Sequence, residues 1–180
     1  MAIDLYPINI LLINDNADDV EKIKLNLEIK MRVPWVFSQC ENLAEAASQV
    51  NKADVIILNL QLITELSNPK HIFEEIEGIS YEVPIIVLTD KGEEEHNLAT
   101  YVMEKGAADA IVRGRFNELV DAIEFSLIRQ KITTANRKTS DQVLQDNKDA
   151  GDAKDKESQN TLSMFMGDYS GHDPKNNEKI

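Results

Sequence analysis

ADVIILNLQL, residues 53–62, decides how this chain folds. Five of the six residues from Val55 to Leu60 are apolar, and the exception is Asn59. A short, continuously apolar run reads as a strand buried on both faces. It leaves a question at its end, because a carboxamide sits where the core stops.

The sequence on either side supplies partners for that strand. Ile8–Ile13 (INILLI), Trp35–Ser38 (WVFS), Pro84–Leu88 (PIIVL) and Asp109–Val112 (DAIV) read as further strands. Between them lie segments of helical periodicity. Ala17–Met31 puts Val20, Ile23, Leu27 and Met31 on one face. Asn42 is placed to cap a helix running through Ala44, Ala47 and Val50. Pro69–Glu77 has proline in its first turn and Gly78 after its end. Glu93–Lys105 presents Leu98, Val102 and Met103 and stops at Gly106. The last helix begins at Phe116 and reaches about Lys131, with Phe116, Leu119, Ile123 and Leu127 in a row. Strict alternation of strands and helices predicts an α/β fold: a doubly wound, five-stranded parallel sheet with flanking helices. Right-handed crossovers leave the order 2-1-3-4-5 as the arrangement suited to this length.

In such sheets the binding site lies beyond the carboxyl ends of the strands, where the order reverses between strands 1 and 3. The residues there are Asn14-Asp15-Asn16, Asn59, Thr89 and Arg113. A nucleotide is disfavoured. The turn NDNADD has no glycine to admit a phosphate, and its three aspartates would repel one. His71, His96 and His172 all fall away from the strand ends, so no histidine-based triad forms.

Composition narrows the function further. The 180 residues carry a net charge of −13, which disfavours nucleic acid and anionic membrane surfaces and favours protein partners or cations. Nine acids and seven bases fall after Ile132, so −11 of that charge belongs to residues 1–132. Cys40 is the single cysteine, which excludes an intrachain disulfide and a cysteine metal cluster and fits a reducing, cytoplasmic setting. No signal peptide or membrane span is read at the N-terminus. Residues 133–180 are polar and read as a disordered tail, with a short apolar cluster at 162–169 inside TLSMFMGDYSGH. That cluster is a candidate docking peptide.

Four segments, in order, resemble the receiver domains of two-component response regulators, a flavodoxin-like fold. ILLINDNADD is similar to the receiver's first strand and acidic turn, and DVIILNLQL to the strand carrying the phosphoacceptor aspartate. PIIVLTD is similar to the strand ending in Thr or Ser, and GAADAIVRG to the segment that brings the switch aromatic and the lysine. The resemblance spans about residues 7–131. It implies a signalling module of the phosphorelay type, with a histidine kinase or another signalling protein as partner. It also implies a possible homodimer through helix 4, strand 5 and helix 5.

The departures from that pattern govern the chemistry. The phosphoacceptor position holds Asn59 and the first acid position Asn14, which leaves Asp15 in a vestigial acidic pocket. The aromatic switch position is Ala110, the lysine position is Arg113, and Thr89 is retained. An amide is a poor nucleophile toward phosphorus, and Mg²⁺ sites depend on carboxylates. The expectation is therefore a pseudo-receiver: no enzymatic activity, no cofactor, and weak Mg²⁺ at most, through Asp15. An internal Asp15–Arg113 pair bridged by Asn59 is expected to close the pocket. The alternative is a stand-alone regulator that accepts phosphate on a surrogate acid, Asp15 or Asp90. The blandest reading makes Asn59 a drifted core residue. Phe125 and Ile128 lie off the buried stripe of the last helix and are expected at the surface. Ile63 stands where the family has a proline, which would reshape the pocket mouth.

Overall fold

A computed structural model describes residues 6–62 and 68–167. The chain separates into two compact units, residues 1–132 and 133–180. In the first unit the elements run β1 (Ile8–Ile13), α1 (Ala17–Lys30), β2 (Trp35–Cys40), α2 (Leu43–Ala47), β3 (Val55–Asn59), α3 (Pro69–Ser80), β4 (Ile85–Thr89), α4 (Glu93–Glu104) and β5 (Asp109–Val112). The helix α5 then begins at Leu119 and runs to Gly167. The strands form one parallel sheet in the order β2-β1-β3-β4-β5. This is the flavodoxin-like arrangement expected from the alternation.

All five residues of β3 are buried. Alternate side chains serve opposite faces of the sheet. Ile56 and Leu58 join a core with Leu43, Phe73, Ile76 and Val102. Val55 and Ile57 join a second core with Ile23, Leu27, Leu119 and Ile123. Two cores, one on each face, are what a continuously apolar strand requires.

The starts of α1, α2 and α3 are set by asparagines. Asn16 Oδ1 accepts from Asp19 N (3.1 Å), Asn42 Oδ1 from Glu45 N (2.9 Å) and Asn68 Oδ1 from Lys70 N (2.9 Å). Each cap satisfies a backbone donor that the helix leaves open and stabilises it by about 1 kcal/mol.

Three local expectations are corrected. Between Leu43 and Val50 the buried residues are Leu43, Ala46 and Val50, while Ala44 and Ala47 are exposed. The helix is only five residues long and then tightens into a 3₁₀ turn over Val50–Lys52, so a single α-helical phase does not carry across it. Met103 is 43% exposed rather than packed, because Leu98 and Val102 already fill the inner face of α4. Helix α3 does not stop before Gly78 but continues to Ser80, whose Oγ donates to Glu77 O (3.2 Å) and which is buried. Burial of the helix end outweighs the weak helix preference of one glycine.

The second unit, residues 133–180, is described as far as Gly167, and its backbone is helical to that point. The helix continues past Lys131, where the periodic apolar stripe ends. From Thr133 to Gln142 every side chain is exposed except the partly covered Thr134. A helix without a buried face rests on its own backbone hydrogen bonds, which are marginal in water. Amide hydrogen exchange checks this. Amides of residues 133–156 are expected to exchange faster than those of β3 by about three orders of magnitude or more. Equal protection in the two regions would show that this helix is held by something else. The side chains of the apolar cluster from Leu162 to Met166 lie outside what is described, as do Tyr169, His172 and Ile63.

Among the described residues no helix is long and apolar enough to cross a membrane. Cys40 is buried and unpaired with another cysteine, and burial, followed by the charge of Glu45, pushes its thiol pKa up.

Candidate functional site

The parallel ladder brings the sequence candidates together. Ile13 pairs with Leu58, Asn59 with Leu88, and Thr89 with Val112, so the residues that end or follow these strands are neighbours. Backbone bonds extend the sheet by one step: Asn14 N donates to Cys40 O (2.9 Å) and Arg113 N to Thr89 O (2.7 Å). Asn14, Asn59 and Thr89 are all buried, at 0%, 1% and 2% exposure. These are polar side chains in places that normally demand a satisfied hydrogen bond.

The two amides satisfy each other in part. Asn59 Nδ2 donates to Asn14 Oδ1 (3.0 Å), and the same oxygen accepts from Asn16 N (3.0 Å). Asn59 Oδ1 accepts from Gln61 N (3.0 Å), while Asn59 Nδ2 also reaches Gln61 O (3.3 Å). Asn59 thus folds the chain after β3 back over its own side chain. The carboxamide at the end of the apolar run is a turn-forming link that needs both a donor and an acceptor. Asn14 Nδ2 is buried and has no hydrogen-bond partner. Above this pair, Gln61 Nε2 donates to Glu95 Oε1 (2.8 Å) and ties the turn after β3 to the first turn of α4.

Arg113 behaves differently from expectation. Its Nε and Nη2 both meet Asp19 Oδ2 at 2.7 Å, and its Nη1 meets Asp90 Oδ1 at 3.2 Å. The expected pair with Asp15 is replaced by a bridge from β5 to α1 and to the turn after β4. Nor does Asn59 bridge to the arginine; its amide is engaged by Asn14 and Gln61. The reason is helical phase. Asp19 lies four residues before Ile23, on the inward face of α1, and is 8% exposed. Asp15 stands in the turn before the capping Asn16. The signal for Asp19 was present in that i, i+4 relation. Asp90 and the Gln61–Glu95 link carried no comparable signal, because each joins separate elements.

The remaining candidates are placed as follows. Ala110 is half-buried and packs against the core on the α3–α4 side. Tyr101 of α4 packs against the same core, and its hydroxyl bonds the Glu74 carboxylate of α3, an interaction that raises the phenol pKa. His71 is exposed beside Glu75, and His96 is exposed. Asn14 Oδ1 and Asn59 Oδ1 each accept from N–H donors, and Asp19 and Asp90 are held by Arg113. Among the described residues no group of three His, Cys, Asp or Glu could hold a metal ion.

Sheet order and two helical layers define a flavodoxin-like fold, with a polar site at the strand ends. Solved structures similar to this chain include response regulator receiver domains. One is a response regulator receiver domain protein from Clostridium thermocellum, 24% identical, covering 70% of this chain and 98% of its own, with a TM-score of 0.59. Another is the N-terminal signal receiver domain of a two-component response regulator from Bacteroides fragilis, 14% identical, covering 68% and 98%, with a TM-score of 0.57. A third is a CheY-like receiver domain protein from Methanospirillum hungatei, 14% identical, covering 71% and 99%, with a TM-score of 0.58. No family model matches the chain, and neither does any curated protein. At these identities the likeness establishes the fold.

Proposed function

We propose that this protein is a cytoplasmic signalling module of the two-component type that has given up phosphotransfer and acts through protein contact. The observation that carries the reading is the buried Asn14–Asn59 amide pair, 3.0 Å apart, at the strand ends where a receiver places acids. Asn59 offers no carboxylate to form an acyl phosphate, and its oxygen is already used by Gln61 N. The Arg113 bridge to Asp19 and Asp90 holds the rim of the pocket in one arrangement. Ala110 has no ring to couple the pocket to a distant face. A two-state switch needs two arrangements of comparable energy, and this pocket supports one.

Function then rests on a displayed surface. The face built from α4, β5 and α5 is the candidate for contact with a histidine kinase, another signalling protein or a second copy. No catalytic role is assigned to any residue.

The test is direct. Acetyl phosphate and Mg²⁺ are added to the purified chain, and the intact mass is measured. No phosphoryl adduct is expected. An adduct mapped by peptide sequencing to Asp15 or Asp90 would instead establish a regulator that uses a surrogate acid.

A further inference from the structure

The short α2 leaves part of the sheet uncovered. After five residues it gives way to the 3₁₀ turn Val50–Lys52, and the chain then enters β3. Beside that turn lies a hollow of about 290 Å³, lined by Asn9 and Leu11 of β1, Ser38 of β2, and Gln49, Lys52 and Ala53. Leu11 pairs with Ser38 in the ladder, and strand alternation puts Asn9 on the same face as Leu11. A serine where the neighbouring strands carry aliphatic residues leaves the space unfilled. Val36, two residues before Ser38 on that face, is 47% exposed.

The polar groups around this hollow are uncommitted. Asn9 gives its backbone N–H and its Nδ2 to Asp54 Oδ2 (2.7 and 2.9 Å), which leaves Asn9 Oδ1 as an acceptor. Gln49 stands at the cap position of the 3₁₀ turn, yet its side chain makes no cap hydrogen bond. Among the described residues, Ser38 Oγ and the Gln49 amide meet no hydrogen-bond partner and Lys52 Nζ meets no carboxylate. A concave site with an apolar floor and a few convergent polar groups is the form that small-molecule sites take, and this volume lies at the lower end of their range, about 300 Å³.

We propose that the hollow binds a small monocarboxylate that also carries a hydrogen-bond donor, the chemistry shared by free amino acids and hydroxy acids. Lys52 Nζ supplies one positive charge for the carboxylate. Asn9 Oδ1 accepts from the ammonium or hydroxyl of the ligand. Ser38 Oγ and the Gln49 amide can each donate and accept, and they complete the set. Leu11 and Ala53 cover a short apolar side chain. A phosphate dianion suits the site less well. It would meet a single cation, a bare carbonyl oxygen and the nearby Asp54 carboxylate, in a domain whose net charge is −11. The hollow lies toward the amino ends of β1 and β3, away from Asn14 and Asn59, so it stands or falls independently of the phosphotransfer reading.

The test is a titration of the ¹⁵N-labelled full chain, without phosphodonor, followed by amide chemical shifts. The probes are L-serine and L-lactate, each taken to about 20 mM. At least one is expected to give saturable shifts centred on Asn9 to Leu11, Ser38 and Gln49 to Asp54, with a dissociation constant of about 1 mM or less. Ethanolamine and propane-1,2-diol, which lack the carboxylate, are expected to give none, and inorganic phosphate to bind at least about tenfold more weakly. Lys52→Met is expected to weaken the carboxylate about tenfold and Gln49→Ala about threefold, with the rest of the spectrum unchanged. Lys70→Met, a lysine on α3, is expected to change nothing. The proposal is overturned if neither carboxylate gives saturable shifts at these amides. It is equally overturned if Lys52→Met leaves the affinity as it was, or if phosphate binds as tightly as the carboxylates.

Discussion

Arg113→Ala is expected to lower the free energy of unfolding by about 2–3 kcal/mol. The guanidinium contacts Asp19 through two nitrogens, and the pair is largely shielded from water, at 22% and 11% side-chain exposure. Removing the arginine leaves a nearly buried carboxylate without its ionic partner, which costs more than an exposed pair would. The contact with Asp90 is different. Asp90 is 45% exposed, so Asp90→Ala is expected to cost less than about 0.5 kcal/mol. A double-mutant cycle on Asp19 and Arg113, read by urea unfolding, separates the two. Coupling of about 1–3 kcal/mol is expected for that pair. Independent, additive effects would mean that the bridge does not hold the pocket rim and that Arg113 is merely a surface cation.

Asn59→Asp should not restore a working receiver pocket, and at pH 7 it is expected to destabilise the fold by about 1–3 kcal/mol. The substitution removes the Nδ2 donor and sets a carboxylate oxygen against Asn14 Oδ1 and Gln61 O, both acceptors. Asn14 has one remedy. Its Nδ2 lacks a partner, and turning the amide over would present that donor to the new carboxylate. Asn16 N would then lose its acceptor, so the remedy has its own cost. Burial and facing acceptors raise the folded-state pKa of such a carboxyl above its unfolded value near 3.9. The sign follows from linkage. Below about pH 4 the group is protonated in both states and the penalty is absent. As pH rises toward the raised folded value the unfolded state ionises first, and stability falls. Thermal unfolding of wild type and variant between about pH 3.5 and 7 checks this. A variant that is as stable as wild type at pH 7, or that gains stability on adding Mg²⁺, would show that the pocket still accommodates an acid and a cation.

Both results bear on the surface that the proposed function requires. A rim tied by Arg113 and amides that need each other make a pocket whose arrangement is its stable state. Activity in a reporter assay that survives removal of phosphodonor but not of folding is the behaviour such a module shows.

Much of this was legible in the residues. The apolar run Val55–Leu60 gave a central strand because continuous hydrophobicity is stable only between two helical layers. The alternation around it gave five strands, and the position of the order reversal gave the site. Val20, Ile23 and Leu27 are inside, and Phe125 and Ile128 outside, as helical spacing requires. Spacing was less informative where an element was short. α2 has too few residues for a periodic pattern to fix its length, so the helix expected to run through Val50 ends at Ala47. The length of α5 was hidden for another reason. A helix can form from local hydrogen bonds without the apolar stripe that reveals one in a sequence.

What the sequence determined by itself is the order of the layers and the identity of the groups at the strand ends: amides at 14 and 59, threonine at 89, arginine at 113. Those depend on hydrophobic period and covalent chemistry, which a single chain displays openly. Which acid Arg113 grips, which amide donates to which, and which loop Asn59 folds back over were decided by the tertiary structure alone. Asp19 and Arg113 are 94 residues apart in the chain, and their 2.7 Å contact exists because α1 begins and β5 ends at the same edge of the sheet. Hydrogen bonds and ion pairs are made or lost over fractions of an ångström between separate elements, and no spacing along the chain encodes that distance.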